Sequence, residues 1–186
     1  MNLTERRAVG SLAMVYASRM LGLFMVLPVL VLYGSALEDA TPELLGFAMG
    51  AYGLSQALLQ LPYGMLSDRL GRKPLIYFGL ILFALGSVVA AQADSVYGLI
   101  AGRFLQGAGA VASVLMALLS DLTREESRTR AMAVVGMVIG LSFSVSLVVG
   151  PLVGNVWGLS GIFWLTTVLA LLSVALVARV PTPVRP

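Results

Sequence analysis

The stretch "GMLSDRLGRKP", Gly64 to Pro74, sets one acid and three bases, Asp68, Arg69, Arg72 and Lys73, within six positions. Long and almost wholly apolar runs flank it on both sides. The chain has 186 residues, 59% of them hydrophobic and 11% charged, with a mean hydropathy of +0.94. Soluble domains carry about 25% charged residues, so charge is scarce here and its placement is informative. A knot of four charges between two apolar runs reads as a turn at a membrane surface. Abundant glycine (20) and methionine (9) suit close helix contacts and adaptable apolar packing.

Cysteine and histidine are both absent. Disulfides, thiolate and imidazole metal sites, and histidine proton relays are therefore excluded. The net charge of +3 rests on bases too few and too dispersed for a nucleic-acid surface. No G-x-x-x-x-G-K-[ST] phosphate loop occurs, so nothing in this chain couples it to ATP. No cofactor, metal or nucleic-acid partner is expected, and no enzymatic activity.

A helix needs about 20 apolar residues to cross about 30 Å of hydrocarbon. Six stretches qualify, near 8–33, 43–66, 74–93, 96–119, 130–156 and 159–180. They are long and lack period-2 alternation, which argues for helices rather than barrel strands. The expected fold is an all-α bundle of six transmembrane helices over residues 1–180, with short turns and antiparallel neighbours. Ten of the twelve bases then fall on one side: Arg6, Arg7, Arg69, Arg72, Lys73, Arg124, Arg128, Arg130, Arg179 and Arg185. The opposite loops hold Glu38, Asp39, Glu43 and Asp94 and no base. Positive loops stay cytoplasmic, which places both termini in the cytoplasm. Arg6-Arg7 and the "VYA" before Ser18 also fit a secretory leader. The apolar character resumes after Arg19 and continues to Leu32, and that favours a span.

Asp68 and the glycines of the opening turn exceed what a positive anchor requires. Gly71 suits a turn with positive φ, and Gly64 admits a close backbone. Asp68 can accept backbone N–H groups or cap the positive end of a neighbouring helix. Only Arg19 and Arg103 lie deep in a span. An arginine there costs from about 2.5 to more than 10 kcal/mol. Each must face a wet cavity or a partner, or bond the carbonyls of a neighbouring helix. Gln106 follows Arg103 by three positions and shares its face. Tyr16, Tyr52, Gln56 and Gln60 are further polar groups at membrane depth, available to line a cavity or bond another helix. No Asp or Glu lies inside a span, so a carboxylate proton carrier is missing from these residues.

Small residues form stripes at Ser142, Ser146, Gly150 and Gly154, at Gly136 and Gly140, and at Gly109, Ser113 and Ala117. Helix packing explains them better than substrate contact. Pro151 removes a backbone hydrogen bond and invites a kink. Arg19-Met20-Leu21 is echoed by Arg103-Phe104-Leu105, and "GLSQ" at Gly53 by "GLSF" at Gly140. That faint repeat fits three helices duplicated with inverted topology.

The spacing G-x-x-x-D-R-x-G-R-K, carried by Gly64, Asp68, Arg69, Gly71, Arg72 and Lys73, resembles the signature of the major facilitator superfamily. "RFLQGAGA", from Arg103 through Gln106 and Gly107 to Ala110, is similar to that family's R-x-x-Q-G-x-G-A pattern. "GPLVG", with Gly150, Pro151 and Gly154, resembles its G-P-x-x-G element, although Asn155 replaces the expected second glycine. "RMLGLFMVLPVL" and "MALLSDLTREESRTRAMA" are most similar to the YajR-like branch of drug:proton antiporter-like transporters.

The resemblance implies one six-helix half, built as a 3+3 inverted repeat, of a twelve-helix transporter. Residues 181–186, in "VPTPVRP", would begin the cytoplasmic linker to the other half. It implies proton-coupled efflux of a small amphipathic solute by alternating access across a bacterial-type inner membrane. The partners would be the lipid bilayer, the solute, protons, and a C-terminal half or a second copy. Arg103, Gln106 and Gly107, with Gln106 first among the uncharged polar groups, and Arg19, Tyr52, Gln56 and Gln60 are the candidate cavity residues. Asp121 is the candidate gating partner of Arg72 or Arg69, holding the outward-facing state, while Asp68 meets the other half. A kinked fifth helix would limit leakage. The alternative is a truncated or non-transporting six-helix protein that binds a partner bundle or itself.

Overall fold

The computed structural model describes residues 1–109 and 111–183. Ala110 of the "RFLQGAGA" stretch lies outside the described residues, as do Arg185 and the other two residues that end the expected linker. The elements are α1 (Leu3–Tyr33), a 3-10 turn (Gly34–Ala36), α2 (Pro42–Leu70), α3 (Arg72–Ala91), α4 (Val96–Ala108), α5 (Ala112–Asp121) and α6 (Glu125–Arg179). Among the described residues, five helical stretches are long and apolar enough to cross a membrane, with α4 and α5 counted together.

Local chemistry sets the boundaries. α1 begins five residues before the expected span because Asn2 and Glu5 form a reciprocal capping box. Thr41 caps α2 by accepting from the Leu44 N–H, with Pro42 in the first turn. Gly71 alone separates α2 from α3, at φ 104°, a conformation side chains resist. The fourth apolar stretch is divided between Ala108 and Ala112. α6 contains 55 residues, about 80 Å of helix and more than twice the hydrocarbon thickness. It consists of two helices joined at Gly158, whose φ of 66° and ψ of −166° belong essentially to glycine alone. The backbone stays helical through Pro151, so the break falls seven residues after the proline.

The small-residue stripe of α6 is the seat for α1. Ser146 donates to the Leu21 carbonyl (3.3 Å), and a Cβ at Gly150 would lie 3.1 Å from the Met25 carbonyl oxygen. Gly136 and Gly140 instead face open space. One apolar core gathers Leu12, Val15, Ile76, Leu80 and Leu115, and a second Met25, Val29, Leu99 and Phe163. Leu54, Leu58, Leu61 and Met65 of α2 remain exposed, as do Met137, Leu141, Val148 and Leu152 of α6.

Both ends of the bundle are stitched. At the end distant from the termini, the Glu38 N–H donates to Asp94 and the Val96 N–H to Glu38, each at 3.0 Å. At the terminal end, Glu5 is buried and accepts from the Arg124 N–H (3.0 Å) and Nε (3.1 Å). The side-chain hydrogen bond to Glu5, with the carboxylate's charge, raises the Arg124 pKa above its ordinary value.

Two outcomes test this reading. Gly158→Ala and Gly136→Ala both add a methyl to open space, and only the first forces an unfavourable φ. Thermal unfolding in detergent should show Gly158→Ala less stable by about 1–3 kcal/mol. Gly136→Ala should be unchanged or stabilised by up to about 1 kcal/mol. Glu5→Lys should lower the melting temperature, and adding Arg124→Glu should recover part of it. Recovery stays incomplete because the Arg124 main chain also uses the Glu5 carboxylate.

Candidate functional site

Two polar clusters interrupt the apolar bundle. The first lies within it, where α1 to α4 meet. Arg19 of α1 and Arg103 of α4 are 0% and 1% exposed, and both approach Tyr52 of α2. Arg19 Nη2 donates to the Tyr52 hydroxyl (2.9 Å), Gln56 Oε1 (3.2 Å) and the Gly109 carbonyl (3.5 Å). The Tyr52 hydroxyl donates onward to Gln56 Oε1 (2.6 Å), one helical turn along. Arg103 lies over the opposite part of Tyr52, with its guanidinium carbon 5.0 Å from the ring centroid.

Arg103 Nη1 donates to Gln106 Oε1 (2.9 Å), and Gln106 Nε2 donates to Ser87 Oγ (2.8 Å). Ser87 completes the chain by donating to the Phe83 carbonyl (2.8 Å). The Phe83 ring centroid lies 5.5 Å from the Arg19 guanidinium carbon. Gly107 makes the cluster possible sterically, because a Cβ there would collide with Ser55 and the Tyr52 carbonyl. Ser55 bridges the contact by donating to the Phe104 carbonyl (2.8 Å).

Gln60 does not contribute its side chain to this cluster. Its carbonyl accepts from Ser113 (3.3 Å). Tyr16 donates to the Ala112 carbonyl (2.9 Å) beside the break between α4 and α5, so it too serves helix packing. Gly150 and Gly154 lie on the α1 seam beside Met25 and Val29, with Pro151 between them in sequence, apart from both polar clusters.

The second cluster centres on Arg72, the first residue of α3. It forms ion pairs with Asp68 and, through Nε at 3.0 Å, with Asp121 at the end of α5. Its Nη1 also donates to Ser67 Oγ (2.6 Å), and Ser67 donates to the Gly64 carbonyl (2.7 Å). One guanidinium thus clamps α2, α3 and α5. Arg69 stands in the last turn of α2, where a cation complements the helix dipole. A cavity of about 720 Å³ opens beside the clamp, lined by Asp68, Arg72, Lys73, Asp121, Thr182 and Pro183. Nothing lies within 4 Å of a Cβ placed at Gly64.

Ser55, Ser67, Phe83 and Ser87 join these networks without having stood out in the sequence, and Glu5 pairs with Arg124 apart from both. Asn2-x-x-Glu5 carried a readable capping pattern, and Ser67 stood within the opening motif. Ser55, Phe83 and Ser87 carried no local signal, since the groups that bring them into the cluster, Phe104, Arg19 and Gln106, lie on other helices.

Comparison with known proteins agrees with this architecture. The Major Facilitator Superfamily model matches residues 12–186. The inner membrane transport protein YajR of Escherichia coli (strain K12) is 55% identical over 172 residues, 92% of this chain and 38% of that protein. The bicyclomycin resistance protein homolog of Haemophilus influenzae is 31% identical over 141 residues, 75% of this chain and 35% of that protein. The crystal structure of the human organic anion transporter MFSD10 superposes with a TM-score of 0.80 at 22% identity, covering all of this chain and 49% of that one. The chain thus spans less than half the length of the curated relatives it matches. By the extent of the family match, the chain belongs to the Major Facilitator Superfamily.

Proposed function

We propose that these residues form the N-terminal half of a secondary active transporter that moves a small amphipathic solute by alternating access, coupled to protons. The carrying observation is the pair of fully buried arginines, Arg19 and Arg103, in helices apolar enough to span a membrane. Such groups are costly in hydrocarbon and are functional by default. In this reading the chain crosses the bilayer six times as a 3+3 inverted repeat, with the joint at Gly158 separating the last two crossings. The exposed apolar stripes of α2 and α6 receive the remaining half. Residues beyond the end of α6 lead into a cytoplasmic linker.

The Arg72 clamp is the gate. Asp121 and Asp68 draw α5 and α2 toward α3 and hold the cytoplasmic side closed, which favours the outward-facing state. The clamp is partly solvated, and pairs of that kind contribute about 0–1 kcal/mol each. It therefore biases the two states without freezing either. Gly64 and the 720 Å³ cavity beside the clamp supply open space for a helix of the other half.

The transport reading is tested with everted vesicles from cells producing the full polypeptide, using fluorescent amphipathic probes and an imposed pH gradient. Gradient-dependent probe movement is expected, and its absence for every probe overturns the reading. Asp121→Arg should reduce that flux about two- to fivefold. Adding Arg72→Asp should restore part of it, because Asp68 then faces a like charge. Orientation is tested separately with single cysteines. Ser67 is a poor site because it is buried, whereas Leu70 and Glu38 are exposed. Leu70→Cys should react with an impermeant label only after cells are opened, and Glu38→Cys should react in intact cells.

A further inference from the structure

We propose that the arginine cluster is the binding centre for an anionic group on the transported solute, a carboxylate being the chemistry that fits. The inference rests on the transport reading and names its substrate class. Its first support is charge balance. Two guanidinium groups are buried beside one tyrosine, and neither forms an ion pair among the described residues. All nine acids of the chain stand near helix ends or in turns. Buried charges in proteins are ordinarily paired, and this cluster carries two like charges instead.

The second support is hydrogen-bond geometry. Arg19 Nη2 engages Tyr52, Gln56 and the Gly109 carbonyl. Nε and Nη1 of the same guanidinium are buried and donate to nothing among the described residues. These two donors lie on different edges of the guanidinium, each completed by Nη2, so a carboxylate that displaces the long Gln56 contact accepts from Nη2 together with Nε or Nη1. A neutral solute would satisfy one of these donors poorly, and a cation would add a third positive charge.

The surroundings define the rest of the ligand. Gln56 is the partly exposed member of the cluster, and its bond to Arg19 is long enough (3.2 Å) to yield to a stronger acceptor. The Tyr52 and Phe83 rings beside the guanidinium groups offer apolar and aromatic faces. A small amphipathic acid, with its carboxylate on Arg19 and an apolar body along these rings, satisfies both features.

The test compares three probes of nearly equal shape on the purified full polypeptide: 1-naphthoate, 1-naphthalenemethanol and 1-naphthylmethylamine. At pH 7.5 the first is an anion, the second neutral and the third a cation. Thermal unfolding and equilibrium binding should show preference for 1-naphthoate. Arg19→Gln should weaken that binding at least about tenfold, while Arg19→Lys weakens it less. Gln56→Glu supplies Arg19 with a built-in carboxylate, so it should keep the fold and abolish 1-naphthoate binding. Equal binding of all three probes overturns the inference, as does undiminished 1-naphthoate binding in Gln56→Glu. In the vesicle assay, gradient-driven movement of the neutral or cationic probe without 1-naphthoate overturns the anion assignment and leaves transport standing. Selective 1-naphthoate binding with no flux of any probe overturns transport and leaves the anion site.

Discussion

A guanidinium group in hydrocarbon must have every neighbour arranged for it, and this bundle contains two. Arg19 and Arg103 determine what α1 to α4 can do where they meet. Tyr52 is shared between them, bonded by one and stacked under the other. Gln56 and Gln106 each accept from an arginine while anchored by a second bond, to the Tyr52 hydroxyl or to Ser87. Removing either cation would leave polar side chains facing apolar ones. Removing Tyr52 would leave both cations with one fewer neighbour. The cluster is therefore cooperative, because no single member is satisfied independently.

The backbone adjusts to the same demand. α4 stops at Ala108, and the Gly109 carbonyl, released from regular helix bonding, accepts from Val111 N–H (2.7 Å) and Arg19 (3.5 Å). Irregular backbone is tolerated at membrane depth when protein groups satisfy it. The break and the buried arginine therefore stabilise each other. Gly107 next to it allows α4 to approach α2 closely enough for Ser55 to bridge them. Glycines in the "RFLQGAGA" stretch thus act through steric room and a freed carbonyl, and its arginine and glutamine through hydrogen bonding.

Much of this was readable in the sequence, for reasons that are local. Apolar runs mark membrane helices because length is set by bilayer thickness. A count of residues places Arg19 and Arg103 deep in those runs, and both are buried within the bundle, while the i,i+3 spacing of Arg103 and Gln106 puts them on one face. The meeting of Arg72 with Asp121 needed only two turns on the same side. What the sequence hid depends on helices meeting across the bundle. Glu5 of α1 meets Arg124, 119 positions away, a pairing that only the packed bundle creates. The division of the fourth apolar stretch has no proline to announce it. Pro151 suggested a kink within the fifth stretch, while the backbone break at Gly158, where φ is positive, falls between the stretches 130–156 and 159–180.

The two clusters differ in the strength that their tasks require. The inner one is largely buried, with Gln56 its partly exposed member, so most of its charge-assisted bonds are strong and costly to break. In the proposed cycle it suits a feature that persists. The Arg72 clamp is partly solvated, with Asp68 64% exposed, and its pairs are correspondingly weak. A transporter alternating between two conformations needs their free energies within a few kcal/mol. A clamp as strong as the inner cluster would trap one conformation, and one with no pairing would give it no preference. Under the proposed alternating-access reading, weak pairs at the turn and strong ones inside the bundle would let it move as a rigid body while the edge that carries the clamp opens and closes.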